Sequence, residues 1–420
     1  MKVTAHPRSG RREEVGASPD DAERGADAPQ RLLIGGAAAL AVAMGIGRFA
    51  YTPILPAMEA AAYLDTGQAG LLASANYAGY LAGALATAAI PRAARGRVLV
   101  LSLLAVVATT ALMAGTMNLA AWGVIRFLSG LASAGVFVLA SGIVLDALRQ
   151  QGQVSLSGWL FCGVGVGIAL SGAVVRVAGG ALGWRGEWLA LALLAAVALY
   201  PSWRWLLPAH NGATTPARET PIATARATPI LSRAVRAALA LLLLAYLLEG
   251  LGYIVTGTFL VAIVERMPGL GGFGPSVWIV VGLAAAPSGV VWAGLAARAG
   301  YARALALAYV VQACGIGLPL LGGAGAALLS AVLFGGTFIG ISTLTLTLAS
   351  QIAPRRSAGL IGLLTAAFGL GQIAGPLLAG VLAGRTHTFG PALVTATATI
   401  LLGGILMAAM AALQPFDPSR

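Results

Sequence analysis

Apolar positions along this chain fall into long runs broken by short loops, and each run is apolar on all sides. A helix needs about 20 consecutive apolar residues to cross the hydrocarbon of a bilayer. Spanning strands would alternate apolar and polar positions, so these runs predict helices. Six runs read as 32–58, 67–90, 98–117, 119–145, 156–182 and 187–207. Six more follow at 238–264, 276–297, 304–322, 325–351, 358–383 and 391–413.

The expected fold is therefore an all-α integral membrane protein, with twelve transmembrane helices in two pseudo-symmetric six-helix bundles. Residues 1–30 are polar, lack a cleavable signal core and read as a disordered tail. The bundles are expected at 31–207 and 237–413. Between them, 208–236 carries Pro208, Pro216, Pro221 and Pro229 and reads as a linker. Residues 414–420 form a second tail. Composition agrees: 58% of residues are hydrophobic and 10% charged, with a mean hydropathy of +0.87, whereas a soluble domain carries about 25% charged residues. The 57 glycines suit close helix packing in lipid. Cys162 and Cys314 lie in apolar runs and read as small buried hydrophobes.

Charge placement predicts orientation. The net charge is +12, and residues 1–31 contribute nothing to it because six basic and six acidic residues cancel. With the N-terminus inside, the inner loops hold thirteen arginines, among them Arg92, Arg95, Arg97, Arg149, Arg298 and Arg303. The outer loops hold Arg185, Arg266 and Arg385, and Glu59, Asp65, Glu187 and Glu265 lie on that side. This positive-inside bias places both termini in the cytoplasm of a multi-pass inner-membrane protein, and it accounts for the basic residues without nucleic-acid binding.

The two halves repeat. At an offset of 205 residues Gly45, Gly47, Gly130 and Gly135 match Gly250, Gly252, Gly335 and Gly340. At 204, Gly158, Gly165 and Gly167 match Gly362, Gly369 and Gly371. Because six spans is an even number, the halves are parallel repeats, which place a substrate site at their interface near the midplane.

Polar residues inside the runs are the candidates for chemistry. Arg48 lies past the centre of span one; an intramembrane arginine needs a partner, a wet cavity or a function. It reads as an anion ligand or as a partner for Glu249, against the alternative of an arginine satisfied by carbonyls freed near Pro53 and Pro56. Glu249, near the middle of span seven, reads as a proton carrier or as half of a fixed ion pair, and both residues are expected to face the central cavity. Arg126 in span four either binds substrate or snorkels. Tyr51, Asn76, Tyr77, Tyr80, Tyr253 and Gln372 complete the candidate substrate-binding set, with helix–helix hydrogen bonds as their alternative role. His6, His210 and His387 fall in tails or loops, so no histidine relay or intramembrane metal site is expected, and no cofactor. No Walker phosphate loop occurs, and the Gly-x-Gly runs follow no strand, so they read as packing faces.

Several motifs resemble the major facilitator superfamily. Gly294-Leu295-Ala296-Ala297-Arg298-Ala299-Gly300 is similar to its loop between spans two and three, with Ala297 in place of the acid; Ala93-Ala94-Arg95-Gly96-Arg97 is a more degenerate copy. Arg126-Phe127-Leu128-Ser129-Gly130 resembles its span-four pattern. Gly163-Val164-Gly165-Val166-Gly167 resembles its glycine-rich fifth helix, and Gly375-Pro376 is the nearest equivalent of the Gly-Pro usual there. Residues 45–53 and 246–255 look like the YbfB/YjiJ-type subgroup.

The resemblance implies alternating access, with spans one and four lining the cavity, and no enzymatic activity. The expected function is secondary active transport of a small organic anion, a carboxylate, coupled to protons, by a monomer. The alternatives are a proton-antiport exporter of amphipathic compounds, disfavoured by an aromatic content of 7%, and a non-transporting receptor. Cysteine substituted at Ala217 is expected to label only from the cytoplasmic side and at Thr386 only from outside. Labelling of both from one side would refute the topology.

Overall fold

The structure is a computed structural model that describes residues 19–62, 64–153, 156–207 and 232–412. Eleven of its helices are long and apolar enough to cross a membrane. They are α1 (Pro29–Ala62), α3 (Arg92–Gly115), α4 (Leu119–Gln150), α5 (Ser157–Ala178), α6 (Ala181–Leu206) and α7 (Arg233–Glu265), then α8 (Gly274–Ala299), α9 (Tyr301–Leu321), α10 (Gly323–Ile352), α11 (Gly359–Thr386) and α12 (Gly390–Ala412). A further helix, α2 (Thr66–Ala88), is long enough but less apolar, because it carries Gln68, Ser74, Asn76, Tyr77 and Tyr80. Asn76 and Tyr77 are buried against protein, so lipid never meets these groups. Eleven plus one gives the expected twelve.

Local chemistry sets the ends. Asp65 caps α2 through a reciprocal capping box with Gln68. Asn118 caps α4 and Ser232 caps α7. The helix therefore starts at Arg233, inside the segment read as linker; residues 208–231 lie outside the described ones. At the other end, helix already begins at Pro19, ahead of the first apolar run. Gly183, at φ 60°, breaks the helical path just after the start of α6 and so separates it from α5. Arg176 sits near the end of α5 with its side chain exposed, where a long cation reaches the membrane surface. Cys314 is exposed and Cys162 half-buried, so the buried reading of the two thiols does not hold; among the described residues both are free, on the outer surface or close to it.

The repeat seen in the sequence is a repeat of contacts. A Cβ added at Gly130 of α4 would stand 1.9 Å from the carbonyl oxygen of Asn76 in α2. A Cβ added at its counterpart Gly335 of α10 would stand 2.3 Å from the carbonyl oxygen of Val281 in α8, and Val281 lies 205 positions after Asn76. Gly45 packs on Gly167 in one half, and Gly250 beside Gly371 in the other. The two halves meet along α5 with α8 and along α2 with α11. Here again the contacts are paired: Gly165 meets Ala286, and Gly369 meets Leu81. Such backbone approaches replace the hydrophobic drive that lipid cannot supply between helices. α1 joins this seam through its segment Tyr51–Ala62, which packs on α7.

At Gly79 a Cβ would lie 1.9 Å from the Phe127 carbonyl oxygen, whereas Gly362 has open space around it. Gly79→Leu is expected to abolish a monodisperse peak in size-exclusion chromatography, and Gly362→Ala to leave it unchanged.

Candidate functional site

α1 is not a regular helix. Ala41–Ile46 is a π-helix, residues 47–50 form a turn, and α-helix resumes at Tyr51. The Gly47 amide reaches back five residues to Val42 O (2.9 Å) and that of Phe49 to Met44 O (3.0 Å). Pro53 has no N–H for the carbonyl of Phe49, which accepts from the Thr52 amide at 3.2 Å instead. A wide turn next to two prolines leaves carbonyls turned outward, and inside a membrane protein each needs a donor.

α4 supplies the donors. Ser133 Oγ donates to Ala43 O (2.8 Å) and Ser129 Oγ to Gly47 O (2.9 Å). Arg126 donates through Nη1 to Gly47 O (3.4 Å) and through Nη2 to Arg48 O (3.3 Å). Its guanidinium lies 4.7 Å over the Tyr51 ring, and the Tyr51 hydroxyl donates to Ala69 O (3.1 Å). Asn76 Nδ2 donates to the carbonyl of Arg126 itself at 2.9 Å. Arg126 is fully buried and does not snorkel. Arg126, Tyr51 and Asn76 thus make their contacts as a brace around the break in α1.

The break presents Arg48 at the seam. Its guanidinium carbon lies 4.2 Å from the ring centre of Tyr80, 4.7 Å from Tyr77 and 5.4 Å from Phe49. Its Nε and Nη2 are buried without a hydrogen-bond partner. From the other half, Tyr253 and Tyr246 of α7 stand within electrostatic reach. Tyr253 occupies the position equivalent to Arg48, 205 residues on, so the repeat brings unlike residues face to face. Gln372 Nε2 donates to the Tyr253 hydroxyl, and Gln372 Oε1 has no partner. Arg48, Tyr77, Tyr80, Tyr253 and Gln372 are thereby gathered in one place.

Around them stand rings absent from the candidate set. Tyr253 is stacked with Phe368 (5.4 Å), Phe338 (5.9 Å) and Phe334 (6.3 Å) at interplanar angles of 11–20°. Tyr246 stacks on Phe368 at 4.5 Å, and Phe49 meets Phe338 edge-on at 6.1 Å. Phe334 and Phe338 are one helical turn apart, which the sequence displays, but that this face of α10 meets α7 is a tertiary fact.

Glu249 is placed elsewhere. It is fully buried, and neither carboxyl oxygen has a partner in good hydrogen-bond geometry. The Gln312 side chain of α9 stands beside it, and the rings of Tyr309 and Tyr246 are close. The expected pairing with Arg48 is not formed, although Glu249 lies within electrostatic reach of Tyr246 and Tyr253, which also stand near Arg48. The reason is the packing of α7: Ala245 O accepts the Tyr309 hydroxyl (2.9 Å) and Gly252 packs on Ile400. That face looks toward α9 and α12. The face bearing Tyr246, Gly250 and Tyr253 looks toward α11 and the seam. Gln312 and its unpartnered amide escaped the sequence reading, because a lone glutamine in an apolar run gives no signal of its neighbour.

On the side of the site away from the termini the halves are tied together. Thr52 Oγ1 donates to Gly257 O (2.6 Å), Ser74 Oγ donates to Ile373 O (2.8 Å), and the Tyr77 and Thr258 hydroxyls are 3.4 Å apart. Farther out, Arg266 Nη2 pairs with Glu59 Oε2 at 2.9 Å while lying 4.8 Å over the Phe389 ring. Glu265 accepts from the Gly272 and Gly274 amides and fixes the loop beside that pair.

Two six-helix halves that meet along a seam define the major facilitator fold. Residues 40–408 match the family described as "Uncharacterised MFS-type transporter YbfB", and the chain belongs to that family. It is a multi-pass membrane transporter and not an enzyme. The fold is similar to that of the nucleoside transporter NupG, with a TM-score of 0.67 at 13% identity, covering 93% of this chain and all of that one. A point mutant of NupG gives 0.69 at 14% identity, covering 92% and 99%. At that identity the likeness concerns the fold. No curated protein matches the sequence significantly.

The two arginines are expected to respond oppositely to removal. Arg126→Met takes away the donor to the Arg48 carbonyl and one of two donors to that of Gly47, and should cost on the order of 2–4 kcal/mol, read as a lower thermal unfolding midpoint. Arg48→Met removes an unpaired buried cation and should leave that midpoint unchanged or raised. A lower midpoint for Arg48→Met would show that Arg48 is structural.

Proposed function

We propose that this transporter moves a small organic anion, a carboxylate, together with protons. The observation that carries the reading is the state of Arg48: a buried guanidinium at the seam of the two halves, with no acidic partner among the described residues and with Nε and Nη2 unpartnered. Those two N–H groups form one edge of the guanidinium fork, and that edge meets both oxygens of a carboxylate at once. A cation held without a counter-ion at such a site is costly, and a site that binds an anion accounts for it. The arginine bias of the loops supports cytoplasmic termini in an inner membrane. With that orientation, Glu59–Arg266 and Thr52–Gly257 close the outer side. Alternating access then requires these ties to break as the opposite side closes. The substrate carries the charge complementary to Arg48, and the protein acts as a monomer.

Proton coupling runs through Glu249, the acid near the middle of α7. Direct competition with a substrate for Arg48 is not the means, since the two side chains do not meet. α7 carries Glu249 and, one turn on, Tyr253, so one helix links the carboxyl to the Arg48 site. A neutral carboxyl can donate to Gln312, whereas a carboxylate can only accept; each proton change therefore alters how α7 sits against α9.

A second reading, export of amphipathic compounds, is favoured by the rings around Tyr253, which the overall aromatic content conceals. It requires neutral or cationic compounds to bind at least as well as anions.

Reconstituted Arg48→Lys is expected to lose at least about tenfold in anion binding, because a point charge does not replace the fork. Glu249→Gln is expected to keep counterflow while losing accumulation driven by a pH gradient. Accumulation by Glu249→Gln at the wild-type level would exclude this carboxyl from coupling.

A further inference from the structure

We infer that the anion taken at Arg48 is an aromatic carboxylate, bound with its ring among the stacked aromatic side chains of the second half. This rests on the anion reading above and specifies the body to which the carboxylate is attached.

The two halves contribute different chemistry to one place. α1 and α2 supply Arg48, held between the faces of Tyr77 and Tyr80. α7, α10 and α11 supply Tyr246, Tyr253, Phe334, Phe338 and Phe368, whose neighbouring planes lie within 20° of parallel. Parallel rings 4.5–6.3 Å apart are the arrangement that a further flat ring extends, because offset stacking is favoured and each added aromatic pair contributes beyond its area. The rings belong to the same site as the cation: Phe49, the residue after Arg48, meets Phe338 edge-on, and Arg48 is within electrostatic reach of both Tyr246 and Tyr253. A ligand whose carboxylate lies on the Nε–Nη2 edge of Arg48 therefore has aromatic side chains of both halves close by.

The alternatives fit less well. A short aliphatic acid would use Arg48 and draw nothing from the rings gathered beside it. A sugar-like or strongly hydrated body would have to shed water among apolar rings, with few polar atoms to replace it. A cationic ring compound would meet a guanidinium that no carboxylate neutralises among the described residues. Gln372 Oε1, buried and unpartnered next to the Tyr253 hydroxyl, offers an acceptor to a hydroxyl or amino group on the ring.

Three probes separate the parts of the claim: benzoate, cyclohexanecarboxylate (the same charge and similar size without a π face) and benzamide (the same ring without charge). Their binding to the purified full-length protein is measured by calorimetry, with the thermal unfolding midpoint as a second readout. Benzoate is expected to bind about tenfold more tightly than cyclohexanecarboxylate, the scale of one to two aromatic contacts, and benzamide more weakly than either. Phe338→Leu and Tyr253→Leu should each weaken binding of benzoate more than that of cyclohexanecarboxylate, so that the preference falls by at least about threefold. A variant whose midpoint falls is replaced by Tyr253→Phe, which keeps the ring and should keep the preference. Equal binding of the two acids would overturn the aromatic assignment and leave the anion reading standing. Binding of benzamide as tight as that of benzoate, or binding of none of the three at millimolar concentration, would overturn both.

Discussion

A backbone carbonyl inside a membrane protein has no water to bond, and the first half of this transporter is arranged around that constraint. α1 breaks at 41–50, between paired glycines and Pro53, and the carbonyls of Ala43, Gly47 and Arg48 need donors. Ser129, Ser133 and Arg126 of α4 provide them. The close approach of α4 to α2, which Gly79 and Gly130 permit, holds Arg126 in place through Asn76. The break is what aims Arg48 at the seam. A regular helix through the same residues would turn that side chain elsewhere, because a π-turn inserts one residue and rotates everything after it. Two buried arginines 78 positions apart thus divide the work: one satisfies the backbone, and the other keeps its N–H groups free.

The internal repeat supplies the frame, and departures from it supply the function. Glycine contacts recur almost residue for residue, as Gly130–Asn76 with Gly335–Val281 and Gly165–Ala286 with Gly369–Leu81 show. A frame of two similar halves lets the seam open on either side with similar packing. Chemistry at the seam is not repeated. Arg48 faces its counterpart Tyr253, and Met44 in the first half corresponds to Glu249 in the second. The cation and the α2 tyrosines that hold it come from one half; the stacked rings and the buried acid come from the other. Relative motion of the halves therefore changes the site itself, which a transport cycle requires.

What the sequence determined by itself is large in scale and coarse in chemistry. Run length and hydropathy determine helices, because no other open structure satisfies its backbone in lipid, and the glycine register determines the repeat. The cost of an intramembrane charge singles out Arg48, Arg126 and Glu249. Sequence could not say what each charge meets. Arg126 is consumed by carbonyls that exist because α1 breaks, and Glu249 turns to Gln312 because a tyrosine on α9 and an isoleucine on α12 hold that face of α7. Nor could an aromatic content of 7% reveal that rings from α7, α10 and α11 converge on one arginine. Hydrophobicity acts along a segment and can be summed from its residues. The partner of a buried charge is decided by helix rotation and crossing, and those are fixed when side chains from distant segments pack.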